Sequence, residues 1–132
     1  MSKIFAFSEA ASIAVHGMVL IAKSNGLINV SHIAETICSS KHHVAKVMQR
    51  LVKENFISSQ RGPTGGFELK KPASKISFLD LYEAIEGPME IGKCPLGKPE
   101  CHFDNCIMNN VSNIMEEDFK KYLKSQTLNK FV

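Results

Sequence analysis

The sequence lacks the features of a secreted or membrane-bound protein. Its longest uncharged apolar run, Ala10–Ala22, contains Ser12 and His16 and is too short to cross a bilayer. Nothing after this run resembles the cleavage site of a signal peptide, so we expect a cytoplasmic protein with no membrane partner. Thiols stay reduced in the cytoplasm, so the four cysteines are better explained as metal ligands, redox sensors or core residues than as a disulfide framework.

The sequence also lacks the signatures of an enzyme active site. It contains no Ser–His–Asp arrangement, no phosphate-binding loop and no carboxylate pair in a recognisable context. The chain has 132 residues, of which 44% are hydrophobic. That is enough for one domain with one core and a small appendage, and too apolar for disorder over most of the length. We therefore expect a folded binding protein and not an enzyme.

The positive charge of the chain is concentrated in one central stretch. The net charge is only +3, but residues 41–71 contain seven lysines and arginines against two glutamates, a local charge of +5. Residues 1–40 are neutral, and residues 72–132 carry seven lysines against nine acidic residues. A basic block on an otherwise ordinary domain indicates a polyanionic partner.

The first half of the sequence has the apolar spacing of three helices. One helix is predicted over residues 8–24, and a short second helix is predicted to begin after a cap at Ser31. Ser39 and Ser40 interrupt that helix and can cap a third. One face of the third helix carries apolar side chains, at Val44, Val47, Met48, Leu51 and Val52.

A hairpin is predicted directly after this third helix. Phe56–Gln60 and Phe67–Leu69 have the composition of two short strands, and the glycine-rich segment Arg61–Gly66 is a tight turn. Two short helices, a tight turn, a basic helix and a hairpin are the elements of a winged helix-turn-helix. We therefore predict a mainly α fold with a small β-hairpin wing.

The C-terminal half is predicted to contain two more helices separated by a loop. Ser77 and Asp80 form a capping-box pattern at the start of one helix, which ends at Gly87. Residues 88–105 have a loop composition, and a long last helix is predicted from about Asn105 to Lys124. Its apolar face either packs on its own domain or pairs with a second chain. The width of the face favours a dimer seam at Met108, Val111, Met115, Phe119 and Tyr122, with Ile107 and Ile114 beside them.

The basic helix and the wing suit binding to double-stranded DNA. A helix enters the major groove, where base edges are distinguishable, and a hairpin adds a contact to the backbone or the minor groove. Arg61 lies at the base of the wing, where a narrow minor groove attracts a guanidinium. The less specific explanation is a solvated helix face over residues 41–53, with histidines that are only polar surface. The predicted DNA-binding residues are Ser40, Lys41, His42, His43, Lys46, Gln49, Arg50, Arg61 and Thr64.

Three of the cysteines lie close together in the predicted loop. Six residues separate Cys94 from Cys101, and four separate Cys101 from Cys106. Thiolates are good ligands for iron–sulfur clusters, zinc or copper. The alternative is three unpaired cysteines that bind no metal. The fourth cysteine, Cys38, lies next to the apolar Ile37 in the second helix and is expected in the core.

Two segments carry a resemblance to a known family. R-G-P-T-G-G-F-E-L at Arg61–Leu69 and I-S-F-L-D-L-Y-E-A-I-E-G at Ile76–Gly87 resemble the hallmark of the IscR/NsrR-type transcriptional regulators. The likeness runs from about Ser8 to Tyr122. It implies a winged-helix homodimer that binds two-fold related operators, with a DNA-binding domain at residues 1–75. Residues 76–132 then form a long C-terminal dimerisation helix and a cysteine-containing loop at about 88–106.

The resemblance also implies an iron–sulfur cluster that tunes DNA affinity in many members. Here it implies that Cys94, Cys101 and Cys106 hold a 2Fe–2S or 4Fe–4S cluster, which preparation in air can remove. The gap of four residues before Cys106 is short for the best-known members. Asn109 replaces a histidine that one branch of the family places three residues after its third cysteine.

The fourth ligand is not fixed by the cysteine loop. Other branches recruit an acidic residue or a histidine from the first helix of the partner subunit. The matched acidic position is Ser12 and the matched histidine is His16, so the resemblance favours His16, although a lone histidine on an apolar helix is more often a core residue. His102 and Asp104 are local alternatives, and Glu9 is a remote one.

Several questions stay open from the sequence. Ala45 occupies a position at which some members use an acidic residue to choose between operator classes, so the operator sequence is not transferable. The signal is redox state, nitric oxide or iron status. One alternative is a regulator of the same fold that uses thiol oxidation or zinc. Another is a small metal- or iron–sulfur-handling module that is not a regulator.

Overall fold

The computed structural model of this chain describes residues 7–90, Cys94 and residues 100–132. Within these residues the chain forms five α-helices, one β-hairpin and two short 3₁₀ turns, which confirms a mainly α fold with a small hairpin. In chain order they are α1 (Glu9–Lys23), α2 (Val30–Ile37), α3 (Lys41–Lys53), β1 (Ile57–Gln60), β2 (Gly66–Leu69), a 3₁₀ turn (Ala73–Lys75), α4 (Phe78–Glu86), α5 (Val111–Ser125) and a 3₁₀ turn (Leu128–Phe131).

One core joins most of these elements. Helices α1, α2 and α3 bury their apolar faces against each other, against the hairpin and against α4, and the C-terminal turn returns to the same core. Burying one large apolar side chain contributes about 1.5–3 kcal/mol. The largest fully buried side chains are Met18, Ile33, Val44, Met48, Leu51, Ile57, Ile76, Leu81 and Leu128.

Helix α2 begins earlier than the sequence suggested. Its N-cap is Asn29, whose side-chain oxygen accepts a hydrogen bond from the backbone N–H of His32 at 2.8 Å, so the prediction of a Ser31 cap is wrong. Asparagine and serine cap helices about equally well, so propensity alone does not choose between them. The choice follows from Ile28, which pairs with Phe67 of the hairpin and fixes where the chain turns into the helix.

The end of α2 corrects a second expectation. Cys38 is the C-cap of α2, has a left-handed backbone conformation with φ of 56°, and is exposed. The prediction that Cys38 lies in the core is therefore wrong. The left-handed residue turns the chain out of the helix, so its thiol does not continue the buried face of Ile33 and Ala34.

The wing is an antiparallel hairpin fixed to the helical core. Its register pairs Ile57 with Leu69 and Gln60 with Gly66, and Phe67 also exchanges two backbone hydrogen bonds with Ile28. Gly66 has φ of +155°, and a Cβ atom there would lie 2.6 Å from the carbonyl oxygen of Ile28. Glycine is therefore required where the second strand passes the loop before α2.

Helix α4 forms as the sequence predicts. Ser77 and Asp80 form a capping box, with reciprocal hydrogen bonds of 3.1 and 3.0 Å, and Gly87 ends the helix. The C-terminal segment pairs with the start of this helix, because Leu128 donates a backbone hydrogen bond to Ile76. Residues on both sides of position 75 thus share one core, and the functional division at that position stays a prediction.

Helix α5 begins at Val111, six residues later than the predicted start at Asn105. Asn109 and Asn110 both have left-handed backbone conformations, which interrupt a right-handed helix, so Met108 lies before the helix and not on its face. Phe119 turns towards the protein's own core, where it meets the ring of Phe7 edge-on at 5.9 Å. Of the predicted seam, Val111, Met115 and Tyr122 stay exposed, and Ile114 joins them.

A helix that crosses a bilayer needs about 20 mostly apolar residues. In the described parts of the chain, no helix combines the length and the apolar character that crossing a bilayer requires.

Candidate DNA-binding surface and cysteine loop

Helix α3 presents one polar stripe to the solvent. Ser40 caps the helix by accepting a hydrogen bond from the backbone N–H of His43 at 3.1 Å. The opposite face is buried in the core, which fixes the direction of the exposed one. Spacings of four, three and four residues place side chains in one line along a helix. The exposed stripe consists of His42, Lys46, Gln49 and Lys53, with Lys41 exposed in the first turn.

One flank of α3 faces the protein's own helices. His43 Nδ1 lies 3.4 Å from Glu9 Oε1 at the start of α1. Arg50 donates from Nε to the carbonyl oxygen of Ala84 in α4 at 3.1 Å, and the same atom lies 3.7 Å from Glu54 Oε1. Two of the predicted DNA-binding side chains are thus engaged within the chain. These contacts could not be predicted from the sequence, because helical spacing does not tell which flank meets another helix.

The wing lies next to α3 in the chain and exposes polar side chains at its turn. Arg61 and Thr64 are both exposed in the turn between β1 and β2, so Arg61 lies at the tip of the wing and not at its base as predicted. Two lysines of the basic block, at the base of the wing, contact their own chain. Lys70 donates to the side chain of Asn55 at 3.3 Å, and the Lys71 ammonium lies 4.6 Å above the ring of Phe56. The exposed surface therefore combines the stripe of α3 with the tip of the wing.

The three loop cysteines are free and exposed. Cys101 Sγ donates to the carbonyl oxygen of Phe103 at 3.8 Å, and the backbone N–H of Asn110 donates to Cys106 Sγ at 3.4 Å, which places Cys106 just before α5. Among residues 7–90, Cys94 and 100–132, no three His, Cys, Asp or Glu side chains are gathered as a metal site. Residues 91–93 and 95–99 of the predicted loop lie outside the described residues. Soft, free thiols suit an iron–sulfur cluster in their chemistry, although they are not assembled around one point here.

His16 lies on an exposed side of α1. Its Nδ1 is 2.6 Å from the carbonyl oxygen of Ser12, one helical turn earlier. The structure therefore does not place His16 in the core, which was the alternative explanation. Glu9, Ser12 and His16 line one side of an apolar groove of about 670 Å³ that also includes Phe78 and Phe131. The local alternatives His102 and Asp104 are exposed beside Cys101.

The last turn of α4 and the start of the cysteine loop are bonded to each other and to α1 and α5. Glu83 Oε2 accepts a hydrogen bond from the backbone N–H of Met89 at 2.8 Å, and Lys120 of α5 donates to the carbonyl of Met89 at 3.3 Å. The Ser8 hydroxyl at the start of α1 donates to the Glu86 carboxylate. Burial, and to a lesser extent the charge of Glu86, raises the pKa of Tyr82, whose ring stacks on Phe7.

Known proteins resemble this chain in sequence and in fold. The family model described as Rrf2, iron-dependent transcriptional regulator, matches residues 7–132. The HTH-type transcriptional regulator NsrR of Oceanobacillus iheyensis is 33% identical over 104 residues, which cover 77% of this chain and 71% of that protein.

Solved structures with the same fold include two named regulators. CymR, described as the global cysteine regulator of B. subtilis, has a TM-score of 0.76 at 22% identity, covering 95% of this chain and 94% of its own. IscR of T. potens has a TM-score of 0.73 at 22% identity, covering 95% and 84%. At these identities the two structures establish the winged-helix fold.

Proposed function

Since the chain belongs to the Rrf2 family of transcriptional regulators, we propose that it is a dimeric, sequence-specific DNA-binding regulator with an iron–sulfur cluster. The family match confirms the resemblance found in the sequence and the prediction that the chain is not an enzyme. The observation that carries the DNA-binding proposal is the exposed basic stripe of α3 with the wing beside it. A regulator acts where its DNA is, so a cytoplasmic location is part of the proposal.

The DNA contacts are assigned by position. His42, Lys46 and Gln49 are on the exposed stripe and enter the major groove, where polar side chains read base edges. Arg61 and Thr64 at the tip of the wing contact the backbone or the minor groove. Lys41 and Lys53 at the ends of α3 supply phosphate contacts, which fix the register of the protein on the duplex.

Binding to duplex DNA as a function of salt tests this assignment. The logarithm of the association constant is expected to fall linearly with the logarithm of the salt concentration, by about 0.9 per neutralised phosphate. Lys46→Ala removes about one unit of this slope if Lys46 contacts a phosphate, and relaxes sequence preference at one position if it contacts a base. Lys124→Ala on α5 is the matched control and leaves both unchanged. Binding that does not depend on salt or sequence contradicts the proposal.

The dimer is proposed from the exposed side of α5. Ile107 before the helix and Val111, Ile114 and Tyr122 within it are all exposed in the single chain. An exposed apolar stripe of this kind marks an interaction surface, and a two-fold related copy presents the same stripe in return. Pairing of two chains also presents two copies of α3 to two half-sites of an operator.

The proposed cluster ligands are Cys94, Cys101 and Cys106, with His16 of the partner subunit as the fourth. The support comes from the free, exposed thiols, the exposure of His16, the family description as iron-dependent and the family resemblance of the loop. The cluster, when bound, supplies a centre that responds to redox state, nitric oxide or iron supply. The protein's part is to hold the loop between α4 and α5 in one arrangement. This sets the relative position of the two copies of the recognition helix α3 in the dimer.

Metal and sulfide analysis of anaerobically purified protein, together with its visible spectrum, tests the cluster. We expect iron, sulfide and brown colour in the unaltered chain and none in the variant Cys94→Ala/Cys101→Ala/Cys106→Ala. Cys38→Ala removes an exposed cysteine outside the loop and is expected to keep the cluster. The switch itself is wrong if cluster-loaded and cluster-free protein bind the same operator with equal affinity.

A regulator of the same fold without a cluster is the second candidate. It is favoured by one observation: in the described residues the three thiols are exposed and free but are not gathered into a ligand group. On this alternative, thiol oxidation or zinc binding changes DNA affinity. Zinc without sulfide, or a thiol-specific change in DNA affinity without colour, distinguishes it from the cluster-containing regulator.

A further inference from the structure

We propose that Arg50 is a positioning residue that fixes the recognition helix α3 to the last turn of α4 and so links the cysteine loop to DNA affinity, without contacting DNA itself. The inference rests on the proposed function, because it concerns how that DNA-binding surface is oriented. It changes the assignment of one residue that the sequence pattern placed among the DNA contacts.

The hydrogen bond of Arg50 is made to a group that needs a partner. The last carbonyls of an α-helix receive no hydrogen bond from an N–H of the same helix, and the C-terminal end of a helix attracts positive charge. In α4, the Glu83 carbonyl accepts from the N–H of Gly87, and the Ala84 carbonyl accepts from Arg50 Nε at 3.1 Å. Arg50 thus joins α3 to the end of α4 by a directed, charge-assisted bond.

Arg50 is exposed and borders the DNA-facing stripe, four residues after Lys46, but its Nε is bonded to α4. His43, Arg50 and Glu54 lie seven and four residues apart, a spacing that puts them along one flank of the helix. His43 on this flank contacts Glu9 of α1 at 3.4 Å. Glu54 lies 3.7 Å from Arg50 Nε, and its charge reduces the attraction of the guanidinium for phosphate.

The same turn of α4 also holds the start of the cysteine loop. Glu83 accepts from the N–H of Met89, and Lys120 of α5 donates to the Met89 carbonyl. A change in the loop therefore acts on the turn to which Arg50 is bonded. The path from loop to recognition helix consists of Met89, Glu83, Ala84 and Arg50, which are joined by backbone and hydrogen bonds.

The first experiment asks whether Arg50 contacts DNA. Operator affinity of Arg50→Ala, Arg50→Lys and Lys46→Ala is measured over a range of salt concentrations in the full-length chain. We expect Arg50→Ala to weaken binding without changing the salt slope or the base preference, and Arg50→Lys to restore part of the affinity. A slope that falls by about one phosphate contact, or a base preference that relaxes at one position, overturns the proposal.

The second experiment asks whether Arg50 carries the effect of the loop. The factor by which Cys94→Ala/Cys101→Ala/Cys106→Ala changes operator affinity is measured with arginine, lysine or alanine at position 50. We expect this factor to shrink by on the order of 2- to 30-fold with alanine and to recover with lysine. A role in folding alone lowers stability and leaves the factor unchanged. The proposal is overturned if the triple cysteine substitution changes operator affinity by the same factor with arginine and with alanine at position 50. It is also overturned if that substitution changes the affinity in neither case.

A second variant removes the hydrogen bond at the loop end of the same path. Glu83→Ala removes the acceptor for Met89 while leaving Arg50 in place, and we expect the same reduction of the factor. This variant decides the question if Arg50→Ala does not fold, and an unchanged factor in it overturns the proposal. Failure of the unaltered chain to bind duplex DNA refutes the proposed function itself, and it is seen before any substitution is made.

Discussion

Helices α3 and α5 are similar in length, with 13 and 15 residues, but they differ in what covers their apolar faces. Helix α3 buries Val44, Val47, Met48 and Leu51 within its own chain, whereas α5 buries only Leu123. Phe119 is half-buried against the core, and the other apolar side chains of α5 stay exposed, among them Ile114 and Tyr122, each more than half exposed. The difference indicates that α3 is held in place by packing within its own chain. It also indicates that the exposed apolar face of α5 packs against a second chain.

The largest expected effect on stability comes from a substitution in the buried face of α3. Leu51→Ala leaves a cavity between α3 and the core, so we expect a loss of about 2–5 kcal/mol in the free energy of unfolding. Tyr122→Ala on α5 is the contrasting variant, whose cost should depend on protein concentration because it acts on the dimer. Urea unfolding at two protein concentrations measures both. A concentration-dependent loss in Leu51→Ala would break the comparison.

A charge placed on the exposed apolar face of α5 tests whether a second chain covers that face. Met115→Asp buries a carboxylate without a partner if two chains pair there, so we expect the dimer dissociation constant to rise on the order of 100-fold. Lys124→Asp lies nine residues further on, on the opposite face of the helix, and is expected to leave the dimer intact. Sedimentation equilibrium distinguishes the two. Equal behaviour of both variants means that the seam lies elsewhere.

The attachment of the wing gives a smaller effect. Gly66→Ala places a Cβ atom against the Ile28 carbonyl at a positive φ, and we expect a loss of about 1–3 kcal/mol together with weaker DNA binding. Gly26→Ala is the matched control, because no atom lies within 4 Å of a Cβ there and its backbone is not left-handed. Thermal unfolding and operator affinity measure the pair, and a neutral Gly66→Ala refutes the close approach of strand and loop.

The smallest expected effect concerns the start of the recognition helix. Ser40→Ala removes the cap on the N–H of His43, so we expect a loss of about 1 kcal/mol. Ser39→Ala, next to it but not the N-cap, is expected to change stability by less than about 0.5 kcal/mol. Urea unfolding compares them. A larger loss in Ser39→Ala would move the start of α3.

The sequence predicted those features that depend on neighbouring residues. The capping box of Ser77 and Asp80, the end of α4 at Gly87, the buried face of α3 and the hairpin around the glycine-rich turn all form as predicted. The cap of α2 and the start of α5 were predicted wrongly. The cap of α2 was decided by the long-range pairing of Ile28 with Phe67. The start of α5 was decided locally, by two successive left-handed asparagines that the apolar spacing does not reveal.

The candidate site was predictable in its residue types and less so in its contacts. The exposed stripe of α3 and the exposed wing tip carry residues that the sequence singled out. The engagement of His43 with Glu9 and of Arg50 with Ala84 was not foreseen, because neither partner is a sequence neighbour. Cys38 was expected in the core and is exposed, since its left-handed backbone at the C-cap turns the chain out of the helix.

By itself, the sequence determined the order of elements, the apolar faces of the helices and the clustering of three cysteines, because periodicity, capping and turn formation act over three to four residues. Only the tertiary structure decided which flank of α3 meets α1 and α4, and which part of α5 remains uncovered. Those outcomes depend on packing between segments far apart in the chain, such as Arg50 and Ala84, which are 34 residues apart.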